Sequence, residues 1–221
     1  MKKLVVVAIV ALAGITGVQA QNVSFGPVAS FNHSWLTGTS QADRQFNPGF
    51  KVGGTLTYSI NPNWGVGFDA VYANEGFKAE NTVANFKSTN HTNLNYVRVP
   101  LKLSYFFGVL GDKFRPKLYI GPSFGFLVGG KSKYETQNLT TGTIVKSESL
   151  SKDNFKGFDM GAMVGAGFNY RIGTSTWLNF DLNYTNGLID VSKSESSWNA
   201  NRNYGISLGV AFPIGTITPA K

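Results

Sequence analysis

Beyond residue 20, the chain alternates between apolar and small or polar residues in eight separate runs. In the run 97–107 the odd positions are Val, Val, Leu, Leu, Tyr and Phe, whereas the even positions include Arg98, Lys102 and Ser104. A period of two predicts strands with one apolar face, and each run reaches the roughly 9–11 residues that a tilted membrane strand needs. The sequence therefore predicts an all-β fold, an eight-stranded antiparallel up-and-down transmembrane β-barrel. The runs lie at 23–35, 50–60, 64–75, 97–107, 117–128, 158–171, 178–188 and 203–212.

A soluble β-sandwich is the main alternative, because its strands also alternate, with the apolar face turned inward. The runs are longer than the usual soluble strand of about 5–6 residues. Their polar faces combine glycine with isolated charges of both signs, which is typical of a narrow barrel interior. Only 14% of residues are charged, against about 25% in an average soluble domain. These features favour the barrel over the sandwich.

Aromatic residues also favour a membrane barrel, because they gather near the two ends of the apolar faces. Such girdles mark both interfaces of an outer-membrane barrel. The predicted girdle at one end contains Trp35, Tyr72, Tyr184 and Tyr204, and that at the other end contains Tyr58, Trp64, Tyr105, Tyr170 and Phe212.

The N-terminal segment resembles an export signal. Lys2 and Lys3 precede an uncharged apolar stretch, and Val18 and Ala20 stand at the −3 and −1 positions of a cleavage site. We predict a secretory signal peptide at residues 1–20 and one barrel domain at residues 21–221. The sequence has no cysteine, which excludes a lipid-anchored lipoprotein, a disulfide scaffold and a zinc–thiolate site. Export from the cytoplasm also argues against a nucleic-acid partner.

The connections between runs alternate in length. Residues 61–63, 108–115 and 172–176 are short, whereas 36–48, 77–93, 130–156 and 190–202 are long and polar. Short turns face the periplasm and long loops face outward in outer-membrane barrels. We therefore expect a multi-pass protein of the cell outer membrane with both termini in the periplasm.

Charged residues on the polar faces are expected to point into the lumen. An eight-stranded barrel has an interior just wide enough for side chains to fill, so these residues predict a polar plug held by ion pairs. A narrow pore or proton path is the alternative. The predicted lumen residues are Asp69, Glu75, Arg98, Lys102, Lys117, Asp159, Arg171 and Asp181.

Candidate catalytic and metal-binding residues are scarce. The two histidines are His33 and His91, and His33 is adjacent to Ser34, so the two side chains lie on opposite strand faces, a poor arrangement for a base and its nucleophile. No carboxylate pair has a diagnostic spacing, and two separated histidines do not form a recognisable metal site. We predict no catalytic, cofactor-binding or metal-binding residue, although a lipid-modifying outer-membrane enzyme stays as an alternative.

Lysines outnumber acidic residues in the connection 130–156. One interpretation is that they bind phosphates of lipopolysaccharide near the outer rim, and the other is an ordinary solvated loop. The lysines are Lys131, Lys133, Lys146, Lys152 and Lys156, against Glu135, Glu148 and Asp153.

Several segments resemble one known family. The stretches 96–103 (YVRVPLKL) and 116–125 (PKLYIGPSFG), together with 161–170, 182–188 and 49–53, are similar to the Bacteroidetes-type outer-membrane β-barrel family, which includes PorT-like proteins. The resemblance implies an outer-membrane barrel inserted by the barrel assembly machinery, and PorT-like members are associated with protein secretion. No functional motif matches, so no residue inherits a role. Phe212 is followed by residues 213–221, unlike barrels that end on an aromatic residue.

The predicted function is that of a non-enzymatic integral outer-membrane protein with a filled lumen and long extracellular loops, in a structural, adhesive or assembly-accessory role. The alternatives are a PorT-like accessory component of a secretion system, a small pore and a lipid-modifying enzyme. The expected partners are outer-membrane lipid and lipopolysaccharide, the assembly machinery, and a secretion complex or extracellular ligand bound by the loops.

Overall fold

The computed structural model describes residues 23–109, 111–194 and 198–214. The predicted signal peptide and most of the segment after Phe212 lie outside these residues. No helix in the described part of the chain is long and apolar enough to cross a membrane. The elements are β1 (Val23–Leu36), β2 (Arg44–Gln45), β3 (Pro48–Ser59), β4 (Trp64–Val83), β5 (Phe86–Phe106), β6 (Phe114–Gly129), β7 (Lys131–Asn138), β8 (Ile144–Leu150), α1 (Ser151–Asn154), β9 (Phe158–Ile172), β10 (Thr176–Gly187) and β11 (Asn201–Ile214).

Eight of these strands form a closed antiparallel ring in the order β4-β3-β1-β11-β10-β9-β6-β5, with β5 paired back to β4. The first and last strands of the chain pair along their length, from Val23 opposite Ile214 to Leu36 opposite Asn201. The predicted all-β eight-stranded barrel is therefore confirmed. Closure leaves no open sheet edge within the ring.

The alternation in the sequence becomes an inside and an outside of the barrel. In β4, Phe68 and Tyr72 are exposed, whereas Val71 and Glu75 between and after them are buried. A protein whose large apolar side chains face outward around a polar interior presents its apolar band to lipid. Small residues make room inside: a Cβ atom at Gly165 would lie 2.2 Å from the Tyr119 ring.

The two ends of the barrel differ. Short turns follow β3, β5 and β9, whereas the other end carries the long connections. Two segments predicted as long loops are in fact largely strand. β4 and β5 run for 20 and 21 residues and stay paired up to Val83 opposite Phe86, and their turn contains Ala84 at φ 51°. The strands continue because β4 and β5 are already paired within the ring, and the same ladder extends through residues 77–93 even though both of their faces are polar or mixed.

Additional strands widen this projection. β2 pairs with β4, β7 pairs with the outer part of β5, and β8 pairs with β7. We call the sheet formed beyond the ring by β2, β4, β5, β7 and β8 the extended sheet. Gly130 at φ 129° allows the chain to turn from β6 into β7, and a Cβ atom there would lie 2.0 Å from the Asn93 carbonyl oxygen.

An apolar cluster covers the barrel interior at the same end as the extended sheet. Its side chains come from β1, β4, β5 and β6, from the residue that follows α1 and from the connection between β10 and β11, and they pack over the polar lumen. The cluster contains Leu36, Ala73, Leu94, Tyr96, Leu127, Phe155 and Val191, with Phe77 packed against it. We call it the apolar lid.

Candidate functional site

The half of the lumen beneath the apolar lid is closed by a buried ion network. The Nη2 atom of Arg98 lies 2.5 Å from a carboxylate oxygen of Glu75 and 2.6 Å from one of Asp159. These three side chains come from β5, from its paired neighbour β4, and from β9, which β6 separates from β5. All three are buried, and each charge therefore depends on its partners rather than on water.

Neutral and cationic groups complete the network around Glu75. Lys51 lies 3.4 Å from a Glu75 oxygen and donates to Asn203 at 2.8 Å. Asn201 donates to Glu75 at 2.5 Å and Asn203 at 3.4 Å. Sequence reasoning placed Lys51 on the polar face of its run but left it out of the lumen residues. Its position between the apolar residues Phe50 and Val52 indicated that the Lys51 side chain faces the lumen.

Four further residues that were predicted to face the lumen form two ion pairs in the half of the barrel toward the short turns. Lys102 is 2.5 Å from Asp69, and Lys117 is 2.9 Å from Asp181. Their ammonium groups lie 5.8 and 6.0 Å from the ring centre of Tyr119. These pairs line the wall of the barrel and do not cross its centre.

The half of the lumen toward the short turns is not filled, which corrects the prediction of a filled lumen. A cavity of about 540 Å³ extends from residues 60–62 in the first short turn to Lys51 and Arg98 at its floor. The prediction was wrong here because small side chains such as Ser30, Thr55 and Ser207 form part of the wall, and the charged side chains pair with one another instead of filling the space. Arg115, which the sequence reasoning missed, donates to the Pro62 carbonyl at the mouth.

Arg171 does not join the lumen network, contrary to prediction. Its guanidinium donates to the Gly111 carbonyl at 2.7 Å and lies 5.7 Å from the Trp177 ring centre, at the short-turn end. Arg171 is the penultimate residue of β9, so the barrel wall ends beside it and the side chain reaches the adjacent turn instead of the interior.

The predicted girdle residues lie in two aromatic groups, one near each end of the barrel. At the short-turn end, the Trp64 and Tyr105 rings are 5.0 Å apart, and Tyr170 and Phe212 are exposed while Tyr58 is half-buried. At the other end, the Trp35 ring lies 5.7 Å from that of Tyr204 and 6.4 Å from that of Tyr184, and Tyr72 contacts Phe50 at 6.2 Å.

His33 belongs to the aromatic group at the end that carries the extended sheet. Its ring stacks between Trp35, at 5.4 Å, and Phe46, at 4.9 Å. The backbone N–H of Asn47 donates to His33 Nδ1 at 3.0 Å, while the Asn47 amide donates to Ser34. The imidazole and the Ser34 hydroxyl are thus separately engaged, an arrangement that fits a packing role.

His91 lies in the extended sheet, opposite Lys78 on β4 and Lys133 on β7. Partial burial, together with the two lysines, lowers the pKa of His91 below its ordinary value. Among the described residues there is no cluster of three or more histidine and acidic side chains that could hold a metal ion.

Most lysines of the connection 130–156 have carboxylate partners. Lys131 lies 2.6 Å from Glu148, Lys146 lies 2.9 Å from Glu135, and Lys156 lies 3.1 Å from Asp190. Most of these ammonium groups therefore have a carboxylate beside them, one of which, Asp190, comes from outside the connection. Exposed pairs of this kind contribute little to stability, but they reduce the charge available to an external phosphate.

Comparison with known proteins identifies the class to which this barrel belongs. Residues 19–193 match the family described as "Outer membrane protein beta-barrel domain", and the chain belongs to that family. It is an integral β-barrel protein of the outer membrane. A search of curated proteins finds no significant match.

Several solved outer-membrane barrels are similar over nearly the whole chain. Neisserial surface protein A is 15% identical, with 87% of this chain and 97% of that chain covered and a TM-score of 0.48. Outer membrane protein W of E. coli is 15% identical, with 89% and 100% covered and a TM-score of 0.45. OprG of Pseudomonas aeruginosa is 15% identical, with 87% and 95% covered and a TM-score of 0.45.

Proposed function

We propose that this outer-membrane barrel has no enzymatic activity and serves a structural or adhesive role, with the extended sheet as its contact surface outside the cell. Both termini then lie in the periplasm, because short turns face inward and long connections face outward in such barrels. The network around Arg98 and the apolar lid support a barrel that does not conduct. The barrel holds the protein in the membrane, and the extended sheet makes the contacts.

The tip of the extended sheet is the observation that carries this proposal. Large apolar side chains are exposed there, far along the strands from the lipid-facing belt. An apolar group that faces water at such a distance from the bilayer fits contact with another protein better than contact with lipid. The exposed tip residues are Val83, Phe86, Leu139, Ile144 and Val145.

A role as an accessory component of a secretion system, as in PorT-like proteins, is the second candidate, and one feature of the sheet favours it. Among the described strands β8 has a hydrogen-bonded neighbour on one side only, β7. Such an edge can pair with an extended segment of another protein. In this case the partner is a subunit of the secretion complex, and deletion of the protein abolishes secretion of its cargo.

Photo-crosslinking in intact cells tests the contact surface. A benzophenone amino acid at Val145 is expected to form a specific protein adduct, whereas the same group at Val109 in a short turn at the opposite end forms a different adduct or none. The identity of the adduct separates an extracellular ligand from a secretion subunit. Absence of any adduct from Val83, Phe86 and Val145, in protein that is still folded, would contradict the proposal.

The absence of enzymatic activity is tested separately. Lipid A isolated from a deletion strain is expected to have the same mass spectrum as lipid A from the parent strain. A new or missing acyl chain or phosphate substituent in that spectrum would support a lipid-modifying enzyme instead.

A further inference from the structure

Two arginines lie beside Trp35 on the lipid-facing side of the barrel, at the end that carries the extended sheet. Arg202 of β11 is directly opposite Trp35 of β1, so both side chains are on the outer face. The guanidinium of Arg44, in β2, lies 5.2 Å from the Trp35 ring centre. Tyr204, one pair further into the membrane on the same face, is exposed. The arginines therefore flank the outermost part of the aromatic girdle.

Neither arginine has an anionic partner among residues 23–109, 111–194 and 198–214. Neither lies within 4.0 Å of a carboxylate oxygen in the described part of the chain, in contrast to most lysines of the lumen and of the extended sheet. The Nε atom of each is buried and makes no hydrogen bond, and the recorded donation from Arg44 goes to the Thr39 carbonyl at 3.2 Å. An acceptor from outside the chain cannot reach these enclosed Nε atoms, but it can bond the terminal Nη groups. A phosphate there would be stabilising because neither guanidinium has a counter-ion among the described residues.

The surroundings define the chemistry of that acceptor. Guanidinium groups bind phosphate oxygens by paired, charge-assisted hydrogen bonds. Phe46 and Tyr204, which pack on either side of the buried His33 ring, are exposed beside Trp35. Their aromatic surface suits a ligand with hydrocarbon chains immediately below its charge. A phosphorylated lipid at the membrane interface has both parts in this order, whereas free phosphate has one.

We propose that Arg44 and Arg202 bind a phosphate group of lipid A in the outer leaflet, with Trp35 packing against the same lipid. The inference rests on the proposed orientation, since this rim lies in the outer leaflet only if the extended sheet faces outward. It places the lipopolysaccharide contact on the side of the barrel wall, and not on the ion-paired lysines of residues 131–156.

Native mass spectrometry of the full-length protein from mixed micelles tests the site. The wild-type protein is expected to retain bisphosphorylated lipid A, and the variant Arg44→Gln/Arg202→Gln is expected to bind it at least about tenfold more weakly. Arg44→Lys/Arg202→Lys keeps the charge without the forked geometry and is expected to restore part of the binding. Unchanged retention in the double glutamine variant would overturn the proposal.

Arg171→Gln is the control, because Arg171 also lies over a tryptophan, but at the opposite rim and beside Trp177, which faces the lumen and not the lipid. It is expected to bind lipid A like the wild type, and an equal loss in this variant would overturn the assignment. Equal retention of phosphatidylglycerol by the wild-type protein would overturn the specificity for lipid A. If the double variant does not fold, Arg44→Gln alone is sufficient, since Arg44 lies outside the barrel ring. Loss of lipid A binding with normal crosslinking from Val145 separates this site from the contact surface.

Discussion

At the residue scale, Arg98 is the side chain on which closure of the lumen depends most. Replacement by methionine keeps much of its volume but leaves Glu75 and Asp159 buried without their shared cation. Breaking a buried ion pair in this way costs about 3–5 kcal/mol, so Arg98→Met is expected to unfold at clearly lower urea concentration. Arg171→Met, at the rim, is expected to change stability by no more than about 0.5 kcal/mol. Urea unfolding of both variants in micelles is monitored by tryptophan fluorescence. Equal unfolding midpoints for the two variants would show that the network is not stabilising.

Glu80 provides a second test at this scale, outside the membrane. The hydrogen bond from Lys87, followed by the weaker influence of Lys78, lowers the pKa of Glu80 below its ordinary 4.5. Its ionised form therefore stabilises the extended sheet above pH 4.5, and this contribution is lost as the pH falls through the lowered value. Carbon-detected NMR of the Glu80 carboxyl group is expected to give a midpoint below 4.5, which rises in Lys87→Gln. A midpoint that is the same in both proteins would contradict the pairing.

Sequence parity predicted the residues of the ion network better than it predicted their contacts. Arg98 and Asp159 face inward because each stands between apolar residues in a regular run, and Glu75 shares the inward parity of Val71 and Ala73 in its run although its neighbours are Asn74 and Gly76. Lys51 was missed as a partner because its contact with Glu75 depends on the stagger between strands, which no single run contains. Arg171 was misplaced because parity fixes the side of a strand but not whether the wall continues beside it.

At the element scale, the close pairing of β5 with β6 depends on Gly121. A Cβ atom there would lie 2.0 Å from the Leu101 carbonyl oxygen, which is backbone and cannot move aside independently. Gly121→Ala is expected to lower stability by about 1–3 kcal/mol, in the range of overpacked sites. Gly129→Ala is the control, because no heavy atom lies within 4 Å of its added Cβ. Heat-modifiable gel mobility after graded urea treatment gives the folded fraction of both variants. Equal stability of the two variants would contradict the strand register.

The extended sheet shows where element prediction failed. The runs inside the membrane were predictable because each pairs an apolar face with a polar one. Residues 77–93 and 131–150 have polar or mixed side chains on both faces, so their alternation gives a weak signal and resembles a loop. Their strand structure follows from pairing with already formed neighbours, β5 with β4 and then β7 with β5, which is a tertiary effect.

At the scale of the whole molecule, the lumen is closed at the end that carries the extended sheet and hollow toward the short turns. The wild-type protein in planar bilayers is therefore expected to show no steady conductance, since the network around Arg98 and the apolar lid block the path in series. A general porin added to the same bilayers serves as the positive control. A steady conductance that increases with the number of inserted barrels would refute the closed lumen.

The placement of the extended sheet outside the cell is the central claim, and single-cysteine labelling tests it most directly. The native chain contains no cysteine, and Val83 and Val109 are matched in exposure at 68% and 70% on opposite ends of the barrel. In intact cells, a membrane-impermeant maleimide is predicted to label Val83→Cys, and Val109→Cys only after the outer membrane is permeabilised. Labelling of Val109→Cys, but not Val83→Cys, in intact cells would contradict the orientation and the contact surface that depends on it.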